Sequence, residues 1–329
     1  MGGYLEYYLQ PLKALIDDPA TIEIAVNADG RVWVERAGAT HMAPVEGAEL
    51  TPRGVTDLAM QIANEGRLSL TEDSPLVSTT ISTDEVTMRV QAIITPAAAN
   101  GTVLSFRLFR PRPAGVEPRR FAFLRAPTDS LEAERLKTLE QIRDLGQRVD
   151  SDEFLRAAVE TKLNIVISGG TSTGKTELAR RLQWMIPAEE RLVLIEDSAE
   201  LLPAQPNHVS LIASRLDGSA RSAEKLLQAT LRLRPDRIIL GELRGIEAVT
   251  FLESINTGHG GSFTTLHAET ARKALDRLAL LVLAAGTQLT YAEVQRYLRG
   301  SIDVVIQTGR VDEKRGIMEL YFPALDPAE

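Results

Sequence analysis

The chain has 329 residues, 44% of them hydrophobic and 25% charged, with a mean hydropathy of −0.07, which suits a globular protein long enough for two cores. It contains no cysteine, which excludes disulfides and thiolate metal sites and fits a reducing compartment. The net charge is −8, of which residues 1–110 carry −6 (14 acids against 8 bases), and no basic stripe stands out of the kind that nucleic-acid motors use to neutralise phosphates.

Met1 to Leu15 lack a basic start and an unbroken apolar run, so no signal peptide is expected. Thr21 to Asn27 and Arg31 to Arg36, joined by Ala28-Asp29-Gly30, read as a hairpin. Thr51 to Arg67 carries Val55, Leu58, Ala59 and Ile62 at helical spacing. In Val86 to Ile94, alternate residues Val86, Met88, Val90, Ala92 and Ile94 share one strand face; in Thr102 to Phe109, Leu104, Phe106 and Leu108 do so. Arg89 and Arg107 therefore lie on the opposite faces. These segments predict a mixed α/β unit over 1–110.

Pro111, Pro113, Pro118 and Pro127, mixed with Arg112, Arg119, Arg120 and Arg125, mark an interdomain linker. The linker region with its helix is taken as 111–150, and the second domain as 151–329. There the pattern changes to short apolar runs, Leu163 to Ile167, Leu192 to Ile195 and Ile238 to Leu240, with Val304 to Ile306 expected as an edge strand. Such runs suit a parallel sheet covered by helices, with ligands at the rim formed by the C-terminal strand ends. The longest apolar run, Leu278 to Ala285, is too short to span a bilayer.

Between the strand Leu163 to Ile167 and a helix over Lys175 to Trp184 stands Gly169-Gly170-Thr171-Ser172-Thr173-Gly174-Lys175-Thr176, a complete phosphate-binding loop. Glycines let backbone N–H groups converge on phosphate oxygens, and the helix N-terminus adds its positive dipole end. Lys175 is expected to reach the β- and γ-phosphates of ATP, and the Thr176 hydroxyl to hold Mg²⁺.

Two further strands end in acids: Glu196-Asp197, with Glu200 one turn later, and Glu242. Such acids either orient the attacking water and support the metal, Glu196 and Asp197 being the metal acids, directly or through water, or merely cap strand ends. For Glu242 the functional reading is favoured over capping, while for Glu196 and Asp197 both stay open. No aspartate occupies the positions of Leu240 or Gly241. A turn at Gly258 to Gly261 followed by a strand over Ser262 to Leu266 would deliver His267 to the same rim, where it could sense a γ-phosphate.

Three motifs beside the loop resemble the secretion ATPase superfamily: Ile195-Glu196-Asp197-Ser198-Ala199-Glu200-Leu201, Arg232 to Arg244, and the histidine box ending at His267. Within it the chain is most similar to the traffic ATPases of bacterial type IV secretion, the VirB-eleven family. Leu15-Ile16-Asp17-Asp18-Pro19, Arg89-Val90-Gln91 and Pro206-Asn207-His208-Val209 share in the resemblance, which spans nearly the whole chain. The resemblance implies a homohexameric ATPase with a smaller α/β N-terminal domain, a RecA-like C-terminal domain, and nucleotide bound between them. It makes Lys175 and Thr176 loop ligands, Glu196 and Asp197 the acidic box, Glu242 the catalytic acid and His267 the box histidine. It also brings Arg89 and Arg107 to the γ-phosphate.

The implied role is to energise substrate export or pilus biogenesis, with partners among the inner-membrane and cytoplasmic components of a secretion complex. The protein would be cytoplasmic and peripheral at the inner membrane. A type IV pilus or type II secretion motor is the near alternative, although type II motors generally carry a tetracysteine module. A RecA or helicase-like motor is the distant one, and direct nucleic-acid binding is not expected. The loop departs from the family's usual Gly-Ser pair before Gly174, having Ser172-Thr173, and Gly245 replaces a common aspartate.

Overall fold

The computed structural model describes residues 3–83, 85–111, 115, 117, 120–126, 128–216 and 218–326. The linker residues Arg112, Pro113, Pro118, Arg119 and Pro127 lie outside the described residues.

The first unit contains α1 (Gly3–Leu9), α2 (Lys13–Asp17), β1 (Thr21–Val26), β2 (Val32–Arg36), β3 (Ala43–Pro44), α3 (Pro52–Glu65), β4 (Leu76–Ser82), β5 (Thr87–Ile93) and β6 (Val103–Phe109). Its six strands form one antiparallel sheet in the order β3-β2-β1-β6-β5-β4. The expected hairpin is β1–β2, turning at Gly30, whose φ is +84°. A Cβ there would also fall 2.9 Å from the carbonyl carbon of Leu50, so the turn requires glycine. The helix α3 starts on Thr51, whose side chain accepts from the N–H of Gly54, with Pro52 in its first turn. It buries Val55, Leu58, Ala59 and Ile62 against Val90, Phe106 and Met88 on the apolar face of the sheet.

The second unit contains α4 (Leu131–Gly146), α5 (Ser151–Glu160), β7 (Ile165–Ser168), α6 (Lys175–Met185), β8 (Leu192–Glu196), β9 (His208–Ile212), α7 (Ala223–Thr230), β10 (Arg237–Leu240), α8 (Glu247–Asn256), β11 (Phe263–Leu266), α9 (Ala271–Ala284), α10 (Tyr291–Ser301), β12 (Val304–Val311) and β13 (Lys314–Tyr321). Seven strands run β13-β12-β7-β11-β10-β8-β9, parallel except for the β12–β13 hairpin. Strands β7, β8, β10 and β11 are buried at every position, because helices cover both faces. The expected edge strand Val304 to Ile306 is instead internal: β12 runs on to Val311 and pairs with β7 on one side and β13 on the other. The hairpin partner leaves no strand signal in the sequence, because the outer half of β13 is exposed and lacks a continuous apolar run. Leu139 and Ile142 of α4 lie in the core of this second unit, so α4 packs with it.

The two units are joined by more than the linker. Ile93, Ala97, Ala98 and Val103 share a core with Val209, Leu211 and Ile195. Residues 97–99 also pair with the edge strand β9, through Ala99 N–H to the Ser210 carbonyl at 2.9 Å and Ile212 N–H to the Ala97 carbonyl at 2.7 Å. That pairing covers an edge that would otherwise expose its backbone groups. Beside it the fully buried Arg191 donates to Asn27 at 2.8 Å and to the Leu233 carbonyl at 2.8 Å. Burial pushes its guanidinium down to about 10.

Candidate nucleotide site

The loop between β7 and α6 is shaped by backbone conformation. Gly174 has φ +99°, and Ser172 has φ +60°, a left-handed conformation that costs a non-glycine residue about 1–2 kcal/mol. This is the position where the sequence departs from the Gly-Ser pattern, and the chain adopts the turn without the glycine. A Cβ on Gly169 would stand 2.8 Å from the Thr308 carbonyl oxygen, so β12 holds the loop closely enough to require glycine. Thr308 also donates to the Ser168 carbonyl at 3.0 Å, and its hydroxyl lies 2.8 Å from that of Thr173.

The loop opens on a cavity of about 450 Å³, large enough for a nucleotide. Thr171, Ser172, Thr173, Gly174, Lys175 and Thr176 line it, facing Glu196, Asp197 and Glu200 after β8, Glu242 after β10 and His267 after β11. Lys175 Nζ donates to the carbonyls of Gly169 at 2.9 Å and Gly170 at 2.7 Å, and lies 3.3 Å from His267 Nδ1. The other ring nitrogen of His267, Nε2, lies 3.2 Å from Glu242 Oε1. This bonding assigns a neutral ring that accepts from Lys175 at Nδ1 and donates to Glu242 at Nε2. Desolvation and the Lys175 charge hold the imidazole below its ordinary value, consistent with that tautomer. Desolvation likewise lowers Lys175, partly offset by Glu242. Glu242 is also paired with Arg244.

The acids divide differently from expectation. The loop strand does not lie beside the acid-bearing strands: on that side β11 intervenes, so His267 stands between the loop and β10 with Glu242. Glu196 is 6% exposed, and its Oε1 accepts from the backbone N–H groups of Glu200 at 3.1 Å and Leu201 at 3.0 Å. Its carboxyl thus shapes the turn after β8, while its buried Oε2 has no partner among the described residues. Desolvation raises its pKa. Asp197 is paired with Arg215. The acid in contact with the Thr176 hydroxyl is Glu200, at 3.5 Å, a residue outside the expected metal set. Arg215, Arg244 and Arg315 add positive charge to the cavity wall. Arg315 comes from the β12–β13 hairpin, where only packing of the hairpin beside Gly174 reveals it.

The structure does not bring Arg89 and Arg107 to this cavity. Among the described residues its lining comes entirely from the second unit. Arg107 lies 3.6 Å from Glu23 and lines a separate cavity with Lys162, Asp236 and His259, near the N-terminal ends of β7, β10 and β11. The alternation did place both arginines correctly, away from the apolar face of their sheet. Within one chain, the phosphate loop stands at the C-terminal ends of the strands and Arg107 near their N-terminal ends, so the two do not meet inside a single chain.

A phosphate loop at the head of α6, a parallel sheet and acids at its C-terminal rim define a P-loop ATPase of the RecA-like α/β class. A family model described as "Type II/IV secretion system protein" matches residues 131–312. Over 95% of the chain and 91% of the relative, the protein is 32% identical to the type IV secretion system protein VirB11 of Bartonella quintana. It is 33% identical to VirB11 of Brucella suis over 92% of the chain and 84% of the relative, and 30% identical to VirB11 of Agrobacterium tumefaciens over 97% and 94%. The crystal structure of the Brucella suis VirB11 ATPase in complex with sulphate superposes with a TM-score of 0.82, at 31% identity, covering 97% of this chain and 94% of that one. The chain belongs to the VirB11 family of type IV secretion system ATPases.

Proposed function

We propose that this protein is a ring-forming motor that converts ATP hydrolysis into work on a type IV secretion complex, for substrate export or pilus biogenesis. The observation that carries the proposal is the contact chain Lys175–His267–Glu242 at the mouth of the phosphate loop. His267 bridges the other two, which supports reading Lys175 as a phosphate ligand, His267 as a polar sensor and Glu242 as the acid. ATP is the nucleotide of this reading, with its phosphates on Gly169 to Thr176. The fit rests on the glycine backbone of the loop, the cavity volume and the freedom of Lys175 to exchange two carbonyl partners for phosphate oxygens. Mg²⁺ would be held by Thr176, with Glu200 beside it and Glu196 and Asp197 acting through water; bound there, it would offset charge on the β- and γ-phosphates. Glu242 accepts a proton from, and orients, the attacking water, while His267 reports on the terminal phosphate.

Arg89 and Arg107 enter the same reading in trans. Both lie on the sheet face turned away from the core of the N-terminal unit, Arg107 still largely exposed, and a ring, as a homohexamer, would offer them the loop of the adjacent subunit. Cations there would offset charge developing on the transferred phosphoryl group. The protein would work at the cytoplasmic face of the inner membrane, held by partners; among the described residues no helix is long and apolar enough to cross a membrane.

Subunit mixing tests this reading. K175A and R107A chains should each be nearly inactive alone and should regain ATPase activity when co-assembled, because one class of mixed site has both groups intact. If the mixture stays at the level of the single variants while wild-type chains form rings, the arginine does not act in trans. Sedimentation with nucleotide should show a hexamer, and an active monomer would remove the ring.

A further inference from the structure

On the face of the N-terminal sheet turned away from its core, the strand registers line up ionisable residues in one transverse row. Glu35 on β2 faces Glu23 on β1, Glu23 faces Arg107 on β6, and Arg107 faces Arg89 on β5. Like charges directly opposite one another on adjacent strands repel. The row contains two such pairs and one attractive junction, Glu23 with Arg107 at 3.6 Å. Phe109, two residues beyond Arg107 and so on the same face, stacks with both guanidiniums, 5.4 Å from Arg89 and 5.7 Å from Arg107.

The acidic end of the row is fastened to the ATPase domain. Arg234 donates to Glu35 at 2.6 Å, to the Thr40 carbonyl at 3.1 Å, and to Asp236. Its backbone sits at φ +55°, an unfavourable conformation for arginine that these partners hold in place. Asp236 immediately precedes β10, and the far end of β10 carries Glu242 into the nucleotide cavity. The row thus runs from the arginines to the strand that bears the catalytic acid. Glu23 is its central link, and it is only 9% exposed. A buried acid beside a second acid is costly unless its charge is used.

We propose that Glu23 is a positioning residue for turnover: it aims Arg107, with Arg89 and Phe109 beside it, and ties them through Glu35 and Arg234 to β10. This rests on the reading that Arg107 serves the adjacent subunit's nucleotide. Glu35 from β2, Arg107 from β6 and Arg191 and Arg234 from the ATPase domain all act on Glu23, and Lys162, Asp236 and His259 share its cavity. Burial pushes its carboxyl up to about 7, so it is ionised at pH 8 and largely protonated at pH 6.

The test is steady-state ATP hydrolysis by the full-length E23Q, E23D, R107A and E23Q/R107A proteins at pH 6 and pH 8, with melting curves at both. At pH 8, E23Q should lower kcat about tenfold with KM for ATP changed less than about twofold. At pH 6 the deficit should shrink towards one, since a protonated carboxyl and an amide are nearly isosteric. E23D, which keeps the charge, should recover part of the loss at pH 8. The double variant should be no slower than R107A. A normal or faster E23Q at pH 8, a deficit equal at both pH values, or independent effects in the double variant would overturn the proposal. So would a melting temperature for E23Q at pH 8 well below wild type with E23D fully active. An R107A enzyme with wild-type kcat would overturn the trans-arginine reading and the proposal with it. A slow R107A beside a normal E23Q overturns the proposal alone.

Discussion

At the scale of single residues, the site separates groups that sequence places side by side. Glu242 contacts His267 at 3.2 Å and is held from the other side by Arg244, so its carboxylate is oriented before substrate arrives. Glu242→Gln should therefore still bind Mg-ATP, measured by nucleotide titration, yet hydrolyse it on the order of a hundredfold more slowly. A near-normal rate would move water activation to the acids after β8. Of these, Glu200 has the contact with Thr176 and Glu196 does not. Glu200→Gln should raise the Mg²⁺ concentration needed for half-maximal ATPase rate, read from a metal titration. Glu196→Gln keeps an oxygen for the Glu200 and Leu201 N–H groups and should shift that concentration less. The motif was legible in sequence, but the division of labour within it depends on which carboxylate oxygen the backbone N–H groups occupy.

At the scale of elements, the strand ends opposite the nucleotide cavity are tied together by one buried side chain. Arg237 opens β10 with 1% exposure and binds Glu190 with two nitrogens, at 2.7 and 2.8 Å. It also donates to the Val159 carbonyl at 2.9 Å and the Gly261 carbonyl at 3.3 Å. One guanidinium thereby joins the end of α5, the start of β10 and the turn before β11. Gly261 has no side chain because a Cβ would lie 2.7 Å from that guanidinium. Removing one partner leaves the other charge buried without compensation. Glu190→Ala should lower stability by about 3–5 kcal/mol in urea unfolding. The apolar run from Ile238 to Leu240 is legible in the sequence and the role of this arginine is not, because partners 24 to 78 positions away leave no local pattern.

At the scale of the whole molecule, the interface between the two units is polar as well as apolar, and it makes stability depend on pH. Glu23 lies 3.6 Å from Arg107 in a cavity that both units line, and its folded pKa of about 7 exceeds the ordinary value of 4.5. The folded state thus binds more protons than the unfolded one between those values, so this group's contribution to stability falls as pH rises from about 4.5 to 7. The full effect has an upper bound on the order of 3 kcal/mol. Glu23→Gln should accordingly stabilise the protein at pH 8, by roughly 1–3 kcal/mol, and change it little at pH 5, as read from denaturant midpoints at the two pH values. No stabilisation at pH 8 would mean that solvent reaches the carboxyl more freely than its burial indicates.

What the sequence determined by itself is local in its physics. Period-two alternation put Arg89 and Arg107 on the polar face, apolar runs marked β7, β8 and β10, and Gly169 to Thr176 specified a phosphate loop through residue types that only such a turn requires. Those signals arise within a few bonds of the backbone and survive without tertiary context. The structure decided the rest through strand order and domain packing. It placed β11 and His267 next to the loop, turned an expected edge strand into an interior one, and gave the Thr176 contact to Glu200. It also set Arg107 against Glu23 near the N-terminal ends of the ATPase strands, with the 97–99 segment pairing the N-terminal unit to the edge of β9. Which groups meet across such distances depends on where sheets and edges close on one another, and no periodicity along the chain encodes that.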